Sequence, residues 1–111
     1  MADGSNIRKT LKDVHQAVEG LPNADEGQKN ELKKLIFGLR DILTRMPADR
    51  ADEADMVAEQ AKVLVESASL PRLNRTLVGA SANGLIEAAE RLDDVAPRVL
   101  AISQQITGII R

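Results

Sequence analysis

Residues 25–47, DEGQKNELKKLIFGLRDILTRMP, decide how this chain folds. Within them Leu32, Leu35, Ile36, Leu39, Ile42, Leu43 and Met46 recur at steps of three and four. At 3.6 residues per turn such steps gather the side chains on one face of a helix, and that face must be buried. Asn23 and Asp25 each have a partner three residues on, Glu26 and Gln28, as in a capping box at a helix start. Pro47 supplies the stop, because the residue before a proline avoids the helical region.

The same steps extend in both directions. Upstream, Ile7, Leu11, Val14, Val18 and Leu21 form a stripe that closes at Gly20 and Pro22, the pairing expected where a helix ends. Downstream, Asp49, Asp52, Glu53 and Asp55 stand at the start of a third segment, where carboxylates suit the positive end of the helix dipole. Its inner residues are read as Met56, Val57, Ala61, Leu64, Val65 and Ala68. Ser69-Leu70-Pro71 makes the next break, with Ser69 as a cap and Pro71 near the first helical position. Asp94 and Pro97 mark the start of a last segment, since proline is tolerated in a first turn. The expected helices are therefore 6–19, 25–46, 49–68, 73–93 and 95–110. No period-2 alternation argues for a strand. Short loops between the segments favour antiparallel neighbours, so the expected fold is all-α: one domain over residues 1–111, an antiparallel up-and-down bundle of four to five helices.

Composition narrows the functional classes. Without Cys there are no disulfides or thiolate metal sites, and His15 alone cannot make a two-histidine site. Phe37 is the single aromatic side chain, too little for a platform on which nucleic-acid bases stack. The net charge is −2, and residues 1–50, 51–70 and 71–111 carry +1, −4 and +1, so no block has the strongly basic character of a nucleic-acid binder. No apolar leader follows the basic residues of the first turn, and no run reaches the length of a spanning helix, so a cytoplasmic location is expected. Phosphate-loop, dinucleotide, nucleophile-elbow and zinc-protease motifs are absent. His15 lies beside its stripe, as a surface residue would. No catalytic, cofactor-binding or metal-ligating residue is assigned.

Four features remain. Phe37 falls outside the roughly 120° stripe of its helix, on the side of Lys33, Arg40 and Thr44. It is either an exposed anchor for a partner or is covered by another helix of the bundle, and the general burial of large apolar residues favours cover. Gly38 beside it costs a helix roughly 1 kcal/mol against Ala, which suits a close approach of another backbone. Ala80, Gly84 and Ala88 line one face four residues apart, a pattern suited to tight packing inside the bundle. The acidic Asp49–Glu59 segment reads as a solvated helix start, not a calcium loop.

The last helix is the most informative. No charge occurs between Arg98 and Arg111; Val99, Ile102, Ile106, Ile109 and Ile110 form one stripe. Ala101, Gln104, Gln105 and Gly108 lie opposite, with Leu100 and Thr107 flanking. Such a helix sits centrally in the bundle, meets its counterpart in a second copy, or enters a membrane. The first two are favoured, because residues 95–111 extend only about 25 Å and lack a basic polar face. Phe37, Leu100, Ile102, Ile106, Ile109 and Ile110 are accordingly the interface candidates.

Leu70-Pro71, Leu77, Gly84-Leu85, Ala88-Ala89, Leu92, Val95-Ala96-Pro97 and Leu100 resemble the tail of small helical accessory or effector-associated modules of bacterial NTPase and conflict (defence) systems. The resemblance covers residues 70–111 and implies a bacterial origin and an adaptor or oligomerisation role; it carries no functional residue over. The expected function is a non-catalytic protein–protein interaction module, with a protein partner or a second copy as a homodimer, and no cofactor or nucleic acid. Two alternatives stand beside it: a small membrane-docking effector that uses the last helix, and an antitoxin-like regulatory subunit.

Overall fold

Asp25 begins the decisive helix as the sequence predicts. The Gln28 N–H donates to Asp25 Oδ1 (2.8 Å) and the Asp25 N–H donates to Gln28 Oε1 (3.0 Å), which completes the capping box. In the computed structural model, residues 4–22, 24–69 and 75–110 are described. They form α1 (Gly4–Glu19), α2 (Glu26–Thr44), α3 (Ala51–Ala68), α4 (Arg75–Glu90) and α5 (Ala96–Ile110), with single 3-10 turns at Ala48–Arg50 and Asp93–Val95. No strand occurs among the described residues. The expected all-α fold is the observed one. The alternative cap Asn23 and the expected start of the fourth helix near residue 73 lie outside the described residues.

Two helices end earlier than their sequence periods suggest. α2 stops at Thr44, not at Met46, because the residues before Pro47 tighten: the Arg45 and Met46 N–H groups donate to Ile42 and Leu43 carbonyls three residues back. α4 stops at Glu90, not at Asp93, by the same device at Arg91 and Leu92, and the chain passes through the 3-10 turn into α5. Pro97 sits in the first turn of α5, where its missing N–H costs nothing. Ser69 closes α3, its hydroxyl donating to the Glu66 carbonyl (2.8 Å).

Contacts between side chains fix the directions of the helices. Lys33 pairs with Glu19, the Lys29 ammonium donates to the Glu19 carbonyl (3.0 Å), and His15 meets Phe37, so α2 returns antiparallel to α1. Gln60 faces Gly84 and Met56 faces Arg91, which makes α4 antiparallel to α3. Gly38 faces Ile102, and residues 41–47 share a groove with residues 92–98, which makes α5 antiparallel to α2. The α1–α3 seam is different. Asn6 Nδ2 donates to Asp55 Oδ1 (2.7 Å), Thr10 Oγ1 donates to Glu59 Oε1 (3.3 Å), and Lys62 Nζ pairs with Asp13 Oδ2 (3.7 Å). All three contacts join residues 49 apart, so α1 and α3 run parallel. Around the bundle the order is α1, α3, α4, α5, α2, and back to α1.

The core is built from the predicted stripes, with informative exceptions. Ile7, Leu11, Val14, Val18 and Leu21 are buried, as are Leu32, Leu35, Ile36, Leu39, Ile42 and Leu43; Met46 is only partly buried against them. On α3 the buried residues are Ala54, Val57, Ala58, Ala61, Leu64, Val65 and Ala68. Met56, expected inside, is exposed, because its position lies about 140° from the centre of that buried arc at 100° per residue. Of the small residues on α4, Ala88 is buried and Gly84 meets Gln60 of α3, whereas Ala80 is exposed.

α5 is rotated by about 60° from its apolar stripe at 100° per residue. Ala96, Val99, Ser103, Ile106 and Thr107 are buried, while Leu100, Ile102, Ile109 and Ile110 are partly buried at the edges. Two polar residues can take core positions here because their hydroxyls bond their own helix: Ser103 Oγ donates to the Val99 carbonyl (2.8 Å) and Thr107 Oγ1 to the Ser103 carbonyl (2.9 Å). Among the described residues no buried side-chain N or O lacks a partner. Ala101, Gln104, Gln105 and Gly108 form the exposed, uncharged face. No described helix is long and apolar enough to cross a membrane.

Candidate interaction groove

The interface candidates separate into two places. Ile106 is fully buried and Leu100, Ile102, Ile109 and Ile110 rest against the core, so the α5 stripe serves mainly the interior. Phe37 does not. Its side chain is 51% exposed, and the expected cover by another helix is not there. The position follows from the wheel of α2: the core takes the arc through Leu32, Ile36, Leu39 and Leu43, and Phe37 projects beyond it.

Phe37 stands at the rim of a groove of about 290 Å³ between α1 and α2, lined by Arg8, Leu11, Lys12, His15, Ile36, Phe37 and Arg40. Leu11 and Ile36 are buried and make an apolar floor. His15 meets the Phe37 ring edge-on, centroids 5.8 Å apart and planes at 75°. The Arg40 guanidinium lies 4.8 Å from the centroid of the same ring, a cation–π contact that holds both groups in place. His15 thus belongs to an aromatic contact and has no nucleophile beside it among the groove residues. Every ionisable residue that lines the groove is basic. Among the described residues neither Arg8 nor Lys12 makes an ion pair.

The basic rim escaped the sequence reading, although a signal was present. Arg8, Lys12 and His15 are spaced by four and three, so they share one flank of α1. That flank gains meaning only once α2 is laid beside it. A second groove, also about 290 Å³, lies where the end of α2 meets the α4–α5 junction; its lining mixes Arg45, Arg50 and Arg98 with Asp41 and Asp94. Its charges are of mixed sign, with Arg45 paired to Asp41 (3.2 Å).

The outer face of α3 is a second exposed surface with a pattern. Asp52, Met56, Glu59, Val63 and Glu66 are all exposed and follow one another by four, three, four and three residues. They lie on an arc of about 80° at 100° per residue. Met56 and Val63 are 46% and 44% exposed, so the face carries an apolar seam between carboxylates. Among the described residues no group of three His, Asp or Glu side chains is arranged to hold a metal ion. No family model matches the chain, nor does any curated protein or solved structure.

Proposed function

We propose that this chain is a non-catalytic protein–protein interaction module, an adaptor or oligomerisation domain, whose α1–α2 groove receives an acidic segment bearing an apolar side chain. The observation that carries this reading is the half-exposed Phe37, clamped by His15 and Arg40 above an apolar floor. A Phe side chain offers about 150–250 Å² of surface, so about 100 Å² remains to be covered; at about 25 cal/mol per Å² a partner gains about 2.5 kcal/mol there. That is the range in which one residue dominates an interface. Arg8, Lys12 and Arg40 add complementarity to carboxylates, and hence partner selection and salt dependence.

The membrane-docking reading asks α5 to expose Val99 and Ile106, which lie fully inside the core. The antitoxin-like reading uses the same groove and differs only in the identity of the protein bound. A homodimer built on the α5 stripe has only its edge residues to offer.

Titration of isotope-labelled protein with an acidic amphipathic helical peptide, followed by NMR, tests the proposal. Chemical-shift changes are expected at Leu11, His15, Ile36 and Phe37, weakening with salt and lost in Phe37→Ala. Binding that is unchanged in Phe37→Ala, or absent at millimolar peptide, refutes it.

A further inference from the structure

The chain carries both halves of one interface. The groove presents Arg8, Lys12 and Arg40 around the exposed ring of Phe37, and the outer face of α3 presents Asp52, Glu59 and Glu66 around exposed Met56 and Val63. We infer that a second copy of this chain is an occupant of the groove, docked through its α3 face. The inference rests on the proposed role of the groove and names its partner.

Three observations support it. The charges are opposite in sign: Arg8, Lys12 and Arg40 line the groove, and Asp52, Glu59 and Glu66 border the α3 seam, where Glu59 also accepts from Thr10 and Arg91, just past α4, touches the Met56 sulfur at one edge. The apolar centres match: Met56 and Val63 are seven residues, about 10 Å, apart along one helix face, a spacing that lets Phe37 sit between them with the Met56 thioether beside its ring. And the two surfaces cannot meet within one molecule. α1 stands between them, turning Asn6, Thr10 and Asp13 toward α3 and Arg8, Lys12 and His15 toward the groove. A contact between unlike surfaces is heterologous, so a bound pair still has one groove and one acidic face open. Association then continues into a ring or an open row instead of stopping at a two-fold dimer.

Two face-specific variants test this. Arg8→Glu/Lys12→Glu reverses the groove and leaves the acidic face intact. Asp52→Lys/Glu66→Lys reverses the face and leaves the groove intact. All four residues are exposed, and far-UV circular dichroism with a thermal melt checks that both variants fold. By sedimentation velocity the wild type is expected to gain mass with concentration and to lose it in high salt. Each variant alone is expected to associate about ten-fold more weakly or worse. An equimolar mixture matches each variant's groove to the other variant's α3 face and so associates in alternating order, and the variant with all four changes associates again. A wild type that stays monomeric at millimolar concentration, or a mixture no larger than its parts, overturns the inference. The peptide titration stands apart: if the peptide binds at Phe37 while the wild type stays monomeric, the second copy is wrong and the groove reading stands. If neither binds, both fall.

Discussion

Replacing Gly38 with Ala is expected to stabilise the protein, against the sequence-based expectation that this glycine admits a close backbone. A Cβ built at Gly38 meets only Ile102 Cδ1 at 3.6 Å, ordinary van der Waals contact with the end of a side chain. At Gly79 it meets nothing within 4 Å. Neither position carries a left-handed backbone, so the methyl group adds helix propensity without strain. Gly costs about 1 kcal/mol relative to Ala in a helix interior, chiefly through the freedom of the unfolded chain. Gly38 lies in the middle of α2 and gains nearly all of this; Gly79, in the second turn of α4, gains somewhat less. The two lie on different helices, so their effects add to about 1.5–2 kcal/mol. For a domain of this size that raises Tm by about 6–8 °C or more.

Gly84 is the internal control. A Cβ there comes 2.5 Å from Gln60 Oε1 and 3.2 Å from its Cδ, so the amide must swing aside and the propensity gain is offset; a change within about 0.5 kcal/mol is expected. Urea denaturation followed by far-UV circular dichroism reads all three. Destabilisation of Gly38→Ala by about 1 kcal/mol or more, the reverse of the helix-propensity effect, means that a neighbour stands closer than Ile102 does and that the α2–α5 packing is wrong.

Three further substitutions separate the core from the groove and test the decisive helix start. Leu39→Ala, at a fully buried site, is expected to cost about 2–5 kcal/mol, whereas Phe37→Ala costs about 1 kcal/mol through its His15 and Arg40 contacts; equal losses in urea titrations would show Phe37 to be a core residue. Asp25→Ala removes the acceptor of the Gln28 N–H and is expected to cost about 1 kcal/mol, with amide exchange accelerating first in residues 26–29; uniform acceleration along α2 would show that the cap does not hold that end.

Much of this was legible because helix burial has a period. The stripes of α1 and α2 name nearly every buried residue on those helices, and the capping box is visible in Asp25 and Gln28. The errors fall where burial departs from hydrophobicity. Phe37 is exposed where its residue type predicts cover, and its angle on the wheel is the better guide. Met56 adjoins Val57 in sequence but not on the helix surface. On α5, Ser103 and Thr107 take core positions by bonding their own backbone, which turns Ile102 and Ile109 to the edge, and no periodicity of apolar residues records that. The groove and the acidic face are relations between helices. Their residues are ordinary surface charges until the neighbour of each helix is known.

That neighbourhood has a constraint that belongs to the number of helices. Five helices that alternate in direction and close into a ring must leave one adjacent pair parallel, and here it is α1 and α3. Apolar stripes that repeat every three or four residues do not by themselves fix how far one helix slides along the other. The polar seam does. Shifting α1 by one turn toward the end of α3 would bring Asp13 from Lys62 to the level of Glu66, like charge against like; the opposite shift would set it beside Ala58. Either slip also takes Asn6 from Asp55 and Thr10 from Glu59. Polar contacts of this kind add little stability each but select one register from several. The selection reaches the groove directly. α1 is a rigid rod with the seam on one flank and Arg8, Lys12 and His15 on the other, so the contacts that set its height against α3 also set the height of the basic rim against Phe37.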